Sequence, residues 1–141
     1  MIVQALCTSF KAEVLRGAHN FTSHTFKIAL YTSDASLGVA TTAYTTTGEV
    51  TGTGYTAGGA TLTVTGGEVS TSGTVAFVDF EDASWPSATL TARGALIYND
   101  TVSGDPAVAV LDFGMDKSVT GATFTVQFPV ADAESAIVRI E

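Results

Sequence analysis

The chain has little of what usually holds a small domain together by covalent or ionic means. Cys7 is its one cysteine, so no disulfide closes within it and the fold is expected to need no oxidising compartment. Charged residues make up only 14% of the 141 positions, well short of the usual quarter. The six basic residues are scattered from Lys11 to Arg139 without forming a stripe, and the formal net charge is -8, so nucleic acid is not expected as a partner. No apolar run is long enough to span a bilayer. The opening "MIVQALCTSF" has no basic leader and is followed by Lys11, Glu13 and Arg16, which predicts a protein made and folded in a cytoplasm, away from membranes.

Motifs for chemistry are equally scarce. There is no G-x-S-x-G, and neither His19 nor His24 stands in a nucleophile or zinc spacing such as C-x-x-C or H-x-x-x-H. The two histidines are expected at turns or on the surface, and neither metal nor cofactor is expected. Asp79, Glu81 and Asp82 cluster after an apolar stretch, and Asp112 and Asp116 flank Phe113 and Gly114. A glycosidase would need two such carboxylates facing each other across a cleft. Asp79 and Glu81 instead fall on one face of a strand, where a solvated edge is expected.

What is abundant is threonine, alanine, glycine and valine, with 45% apolar residues overall, the balance of a folded β-rich chain. One helix is expected early, capped by Thr8 or Ser9, with Phe10, Val14 and Ala18 at four-residue spacing and Gly17 as its stop. From residue 24 the period becomes two. In "HTFKIALYT", His24, Phe26, Ile28 and Leu30 alternate with Thr25, Lys27, Ala29 and Tyr31, predicting a half-buried strand. "TVAFVDFED", "ATLTARGALIYN" with a bulge or kink at Gly94, "PAVAVLDFG", "ATFTVQFPV" and "ESAIVRIE" continue the series, and "TFTVQF" has the cleanest alternation. Turn signals, "SDASLG", "TGGEVSTSG", "YNDTVSGDP" and "GMDKSVTG", separate them. The pattern predicts an all-β fold of about seven to nine strands, an antiparallel jelly-roll-like β-sandwich with one short N-terminal helix. It forms a single domain over 1–141, with 1–22 as an N-terminal segment.

"TGTGYTAGGATLTV" crowds Gly52, Gly54, Gly58 and Gly59 together and invites comparison with phosphate-binding loops. G-x-G-x-x-x-G is one residue off the dinucleotide fingerprint, no lysine follows as in a Walker loop, and the next residues read as strand. A glycine-rich β connection is the expectation. Two Asn-x-Thr triplets, starting at Asn20 and Asn99, are of the number expected by chance in a threonine-rich chain. Trp85, before Pro86, is expected to anchor a turn or strand start, or to serve as an interface anchor.

The phrases "FTSHTFKIALYTSDASLG", "TTTGEVTGTGYTAGG", "LTARGALIYND" and "AVAVLDFG" together resemble a group of small structural proteins encoded among the capsid and virion genes of tailed bacteriophages. The resemblance covers most of the chain and contains no active-site motif. It implies a non-enzymatic virion component: a capsid decoration, or cement, protein on the outer face of the shell, homo-oligomeric as dimer or trimer, bridging capsomers by binding the major capsid protein. Ile2, Val3, Leu6 and Phe10 of the apolar start are the candidate interface, with Trp85. The other reading of that segment is that the same side chains cover the open end of the sandwich. A tail or baseplate-associated module is the alternative function, favoured by an exposed aromatic platform of Trp85, Tyr44 or Tyr55. A carbohydrate-active enzyme using Asp79, Glu81 or Asp112 is the rival from another class, revived by carboxylates in a deep cleft.

Overall fold

The computed structural model describes every residue from Met1 to Glu141. It is mostly β, with two antiparallel sheets and one short helix. The elements are β1 (Ala5–Leu6), α1 (Thr8–Leu15), β2 (Phe26–Tyr31), β3 (Ala60–Thr61), β4 (Ser70–Ser72), β5 (Val75–Val78), β6 (Ala83–Asn99), β7 (Ala107–Val126) and β8 (Val138–Ile140). The larger sheet has the order β1-β7-β6-β2-β3 and the smaller β4-β5-β8. The helix is too short to cross a membrane.

The expected helix forms, but its start is held differently. Cys7, not Thr8 or Ser9, occupies the N-cap, and no side chain caps it. Tertiary contacts take over this role: β1 pairs with β7, and the Cys7 N–H donates to Val108 O at 2.9 Å, so the chain enters the helix already anchored. The far end follows local chemistry. Gly17 takes φ 74°, its N–H donates to Val14 O, and Ala18 N–H donates to Glu13 O, which closes the helix and leaves Ala18 outside it.

Strand β2 departs from the half-buried expectation. Phe26, Ile28, Ala29, Leu30 and Tyr31 are all buried, so both of its faces are covered. On one face Phe26 stacks on Phe21 at 4.4 Å and leans on Phe80 and His19. On the other, Tyr44 stacks on Tyr98, the β6 neighbour of Lys27, at 4.7 Å, and Tyr31 donates its hydroxyl to Thr45 O. Continuous apolar runs suit such double cover, because every second side chain would otherwise be left in water.

Strands β6 and β7 form one long hairpin that carries about half of the core. Two expected turns are strand instead: β7 runs unbroken through "GMDKSVTG" and β4 lies within "TGGEVSTSG", because the ladders with β6 and β5 override the local turn chemistry. Its register breaks near Gly94, as the glycine suggested: Ala92 faces Lys117 whereas Gly94 faces Asp112, so β7 bulges over 113–116. "TFTVQF" alternates as expected, with Phe124 and Val126 buried and Thr123, Thr125 and Gln127 exposed. Trp85 lies within β6 as a core residue, 5% exposed, edge-on to Phe124 at 6.1 Å.

The glycine cluster forms the expected β connection, but of the "ATLTVTGG" that follows, read as strand, only Ala60–Thr61 pairs in a sheet; Val64 makes a single bridge to Phe80 and Thr65–Gly67 turns as a 3-10 helix through the positive φ of Gly66. Gly59, at φ 80°, passes so close to β2 that an added Cβ would overlap Ile28 O. The glycines here admit backbone against backbone, which is a packing role.

Candidate functional site

Three buried polar clusters and two exposed apolar surfaces stand out. The first cluster centres on Glu49, in the connection between β2 and β3. Its Oε2 accepts the Tyr44 hydroxyl and its Oε1 the Tyr55 hydroxyl, both at 2.6 Å, and Oε1 also accepts Gly58 N–H at 2.7 Å. Tyr55 Oη in turn accepts Leu30 N–H, and Tyr98 donates to Gly58 O. Burial raises the ionisation of Tyr31, Tyr44, Tyr55 and Tyr98 above the usual phenol range, with Glu49 adding to it. Every strong donor here is already satisfied within the chain, so the cluster fastens the loop to the sheet.

The second cluster corrects the expectation of turn or surface histidines for His19, whereas His24 lies at a bend before β2 and is half-buried. The side chain of His19 is fully buried, and its Nε2 lies 3.0 Å from Glu13 Oε1. Asn99 Nδ2 stands 3.1 Å from His19 Nδ1 and 3.0 Å from His24 Nδ1, while Asn99 Oδ1 accepts Thr101 N–H and Val102 N–H. An Asn that spends its oxygen on two backbone donors must offer its N–H groups to the rings, so each ring accepts at Nδ1. The same burial removes Asn99 from any role as a glycan acceptor. Neither this cluster nor any other gathers three metal-ligating side chains in a suitable arrangement.

The third is Asp79. Instead of the expected solvated edge it is 2% exposed, between β5 and β6, because the chain turns inward there to pair Val64 with Phe80. Its Oδ1 accepts Phe80 N–H, Oδ2 has no partner, and burial raises its ionisation above the ordinary carboxylate range. Asp112 accepts from Arg93 Nε at 3.4 Å and from Gly114 N–H, and Glu81 is exposed. None of the larger concavities is lined by two of these three carboxylates. Cys7 is enclosed as well, its thiol pushed up to about 11 chiefly by burial, which leaves it a poor nucleophile at neutral pH.

The residues expected at an interface divide by direction. Ile2, Phe10 and Trp85 point into the core, at 6%, 2% and 5% exposure, and are occupied by the chain's own packing. Val3 is 52% exposed, and Leu6 is intermediate. The alternation has a simple cause: Val3 N–H donates to Leu37 O, which holds this stretch extended, so Ile2 faces inward and Val3 outward.

Two apolar surfaces result, with no lining residue in common. One gathers Met1, Val3 and Val39 beside Leu37 and Gly38. The other is a groove between α1 and β8, floored by Leu6, Phe10 and Val14 and flanked by Leu15, Val138 and Ile140. Leu15 and Ile140 are 89% and 56% exposed, and the groove continues toward Phe77 of the smaller sheet and Val69, just before β4. Sequence reasoning passed over Leu15, Val39 and Ile140, although Leu15 falls outside the Phe10–Val14 stripe and so signalled an exposed apolar side chain. The aromatic platform of the tail reading is absent at Trp85 and Tyr55, both buried. Comparison with family models, with curated proteins and with solved structures found no match to this chain.

Proposed function

We propose that this chain is a structural protein of a tailed bacteriophage, a capsid decoration protein that binds the outer face of the assembled shell and bridges neighbouring capsomers. Its two sheets are then the layers of a jelly-roll-like sandwich, the major capsid protein is its partner, and it acts as a dimer or trimer. The observation that carries this reading is the pair of apolar surfaces that share no lining residue. A bridging protein needs two contact surfaces on a rigid body, and solvent exposure of Met1, Val3 and Val39 on one surface and Leu15 and Ile140 on the other provides them. The occupied hydrogen bonds of the Glu49 and Asn99 clusters fit a role in which rigidity matters more than chemistry. Contacts made only with the finished lattice add to shell stability by mass action, and an oligomer touching several subunits gains further through effective concentration.

Cryo-electron microscopy of particles carrying the protein tests this directly. The expected result is density for it in many copies on the icosahedral shell, with Val3 and Val39 at a capsomer contact and decoration lost in a Val3→Asp variant. A bare shell with density at the tail would overturn the reading in favour of a tail-associated module.

A further inference from the structure

The groove between α1 and β8 carries charge as well as apolar surface. Lys11 and Arg139 are among its lining residues, and Arg16 follows Leu15 directly at the helix end. In a chain of net charge -8, residues 1–33 hold three of the six basic side chains and one of the fourteen acidic ones. That single acid, Glu13, is turned away onto His19. Lys27 and Arg93 are paired with Asp100 and Asp112, whereas Lys11 and Arg16 form no ion pair. Arg139 has only an exposed contact with Glu141 at 3.8 Å. A local reversal of sign therefore frames the apolar groove.

The backbone adds a second feature. β8 pairs with β5 alone and ends the smaller sheet, so its other edge has unpaired N–H and C=O groups. A strand edge beside a helix, with apolar side chains between them, is the geometry in which an extended segment adds to a sheet and places alternate side chains in the groove.

We propose that this groove docks an extended acidic segment of a partner protein. Its backbone adds to β8, its apolar side chains contact Leu15, Val14 and Ile140, and its carboxylates meet Lys11 and Arg16. A nucleic-acid strand fits poorly, because the floor is apolar and the remaining surface would repel phosphates. A second copy related by a two-fold axis would bring the same basic rim against itself, since such an interface repeats one patch on both subunits. The groove is one of the two surfaces on which the virion reading rests, but the inference holds without that reading: a peptide groove of this chemistry operates wherever the protein resides.

The test is a selection of short random peptides displayed against the full chain, with counter-selection on a Leu15→Asp variant that alters only an exposed side chain. Peptides that depend on Leu15 should alternate apolar residues with Asp or Glu. Synthetic copies, followed by fluorescence anisotropy, should bind a Lys11→Glu/Arg16→Glu variant at least about tenfold more weakly and lose affinity as salt rises. Backbone addition should protect the amides of Val138–Ile140 from hydrogen exchange. Leu15-dependent peptides that are basic, or the absence of any such peptide, would overturn the proposal. So would a dimer, seen by sedimentation, that Leu15→Asp dissolves, because the occupant would then be a second copy.

Discussion

Along the β6–β7 hairpin, residues 94–99 and 107–110 are buried without a break, whereas residues 84–92 and 117–125 bury at most alternate side chains. The two halves share strands, hydrogen-bond ladder and hairpin connection, so the ladder does not make the difference. What differs is the sequence and the cover. "ALIYN" and "AVAV" are continuous apolar runs, and both of their faces are roofed: by Tyr44 on Tyr98, and by the histidine and phenylalanine cluster around Asn99 and Phe26. "SATLTA" and "KSVTGATFT" alternate and leave one face in water. Irregular segments with polar anchors, Glu49 and Asn99, provide the second cover. In this protein loops finish the core.

The strongest way to break the comparison is at Gly59. In Gly59→Ala the new methyl meets Ile28 O at a positive φ, and a loss of more than about 3 kcal/mol is expected in urea unfolding. Gly121→Ala, also at positive φ but in open space on the outer half, should cost only about 1 kcal/mol. Equal losses would show that strain, not cover, dominates.

Leu96→Ala removes a fully buried side chain of the doubly covered half, and about 2 to 5 kcal/mol should be lost. Glu49→Ala withdraws the acceptor of two tyrosine hydroxyls and one backbone N–H, for about 2 kcal/mol, and should loosen the loop in hydrogen exchange before the sheet.

Asp79 sharpens the comparison by showing burial without a full set of partners. Its raised ionisation means that the folded chain holds this proton to higher pH than the unfolded chain does. The stabilisation it brings is complete below the ordinary carboxylate value of about 4 and is lost as pH rises through the raised value. Asp79→Asn should remove that part of the slope in a series of denaturation curves; an unchanged slope would assign it to another group. The smallest effect is expected at Thr91→Ala, on the open face, where loss of the hydroxyl contact to Ser118 should cost less than about 0.5 kcal/mol.

Much of the fold was legible because it rests on local rules. The alternation at Phe124 and Val126 placed those side chains inside, Gly94 marked a register break, and Gly17 marked the end of α1. The candidate surfaces were legible in part. The apolar opening segment drew attention to Val3 and Leu6, but Phe10 and Trp85 look as suitable for an interface in sequence as they do for a core. Nothing in the spacing of His19, His24 and Asn99 announced their meeting, because Asn99 approaches from the far side of the chain.

The sequence by itself determined part of the element list: the alternation around Phe124 and Val126, the close of the helix at Gly17 and the glycine-rich connection follow from backbone conformation and nearest neighbours. Tertiary structure decided which of those elements are covered once and which twice. It buried His19 and Asp79, took Trp85 inward, and left Ile140 exposed and Leu15 in water near the unpaired Lys11 and Arg16. Burial is set by what arrives from distant parts of the chain, and no local pattern encodes that arrival.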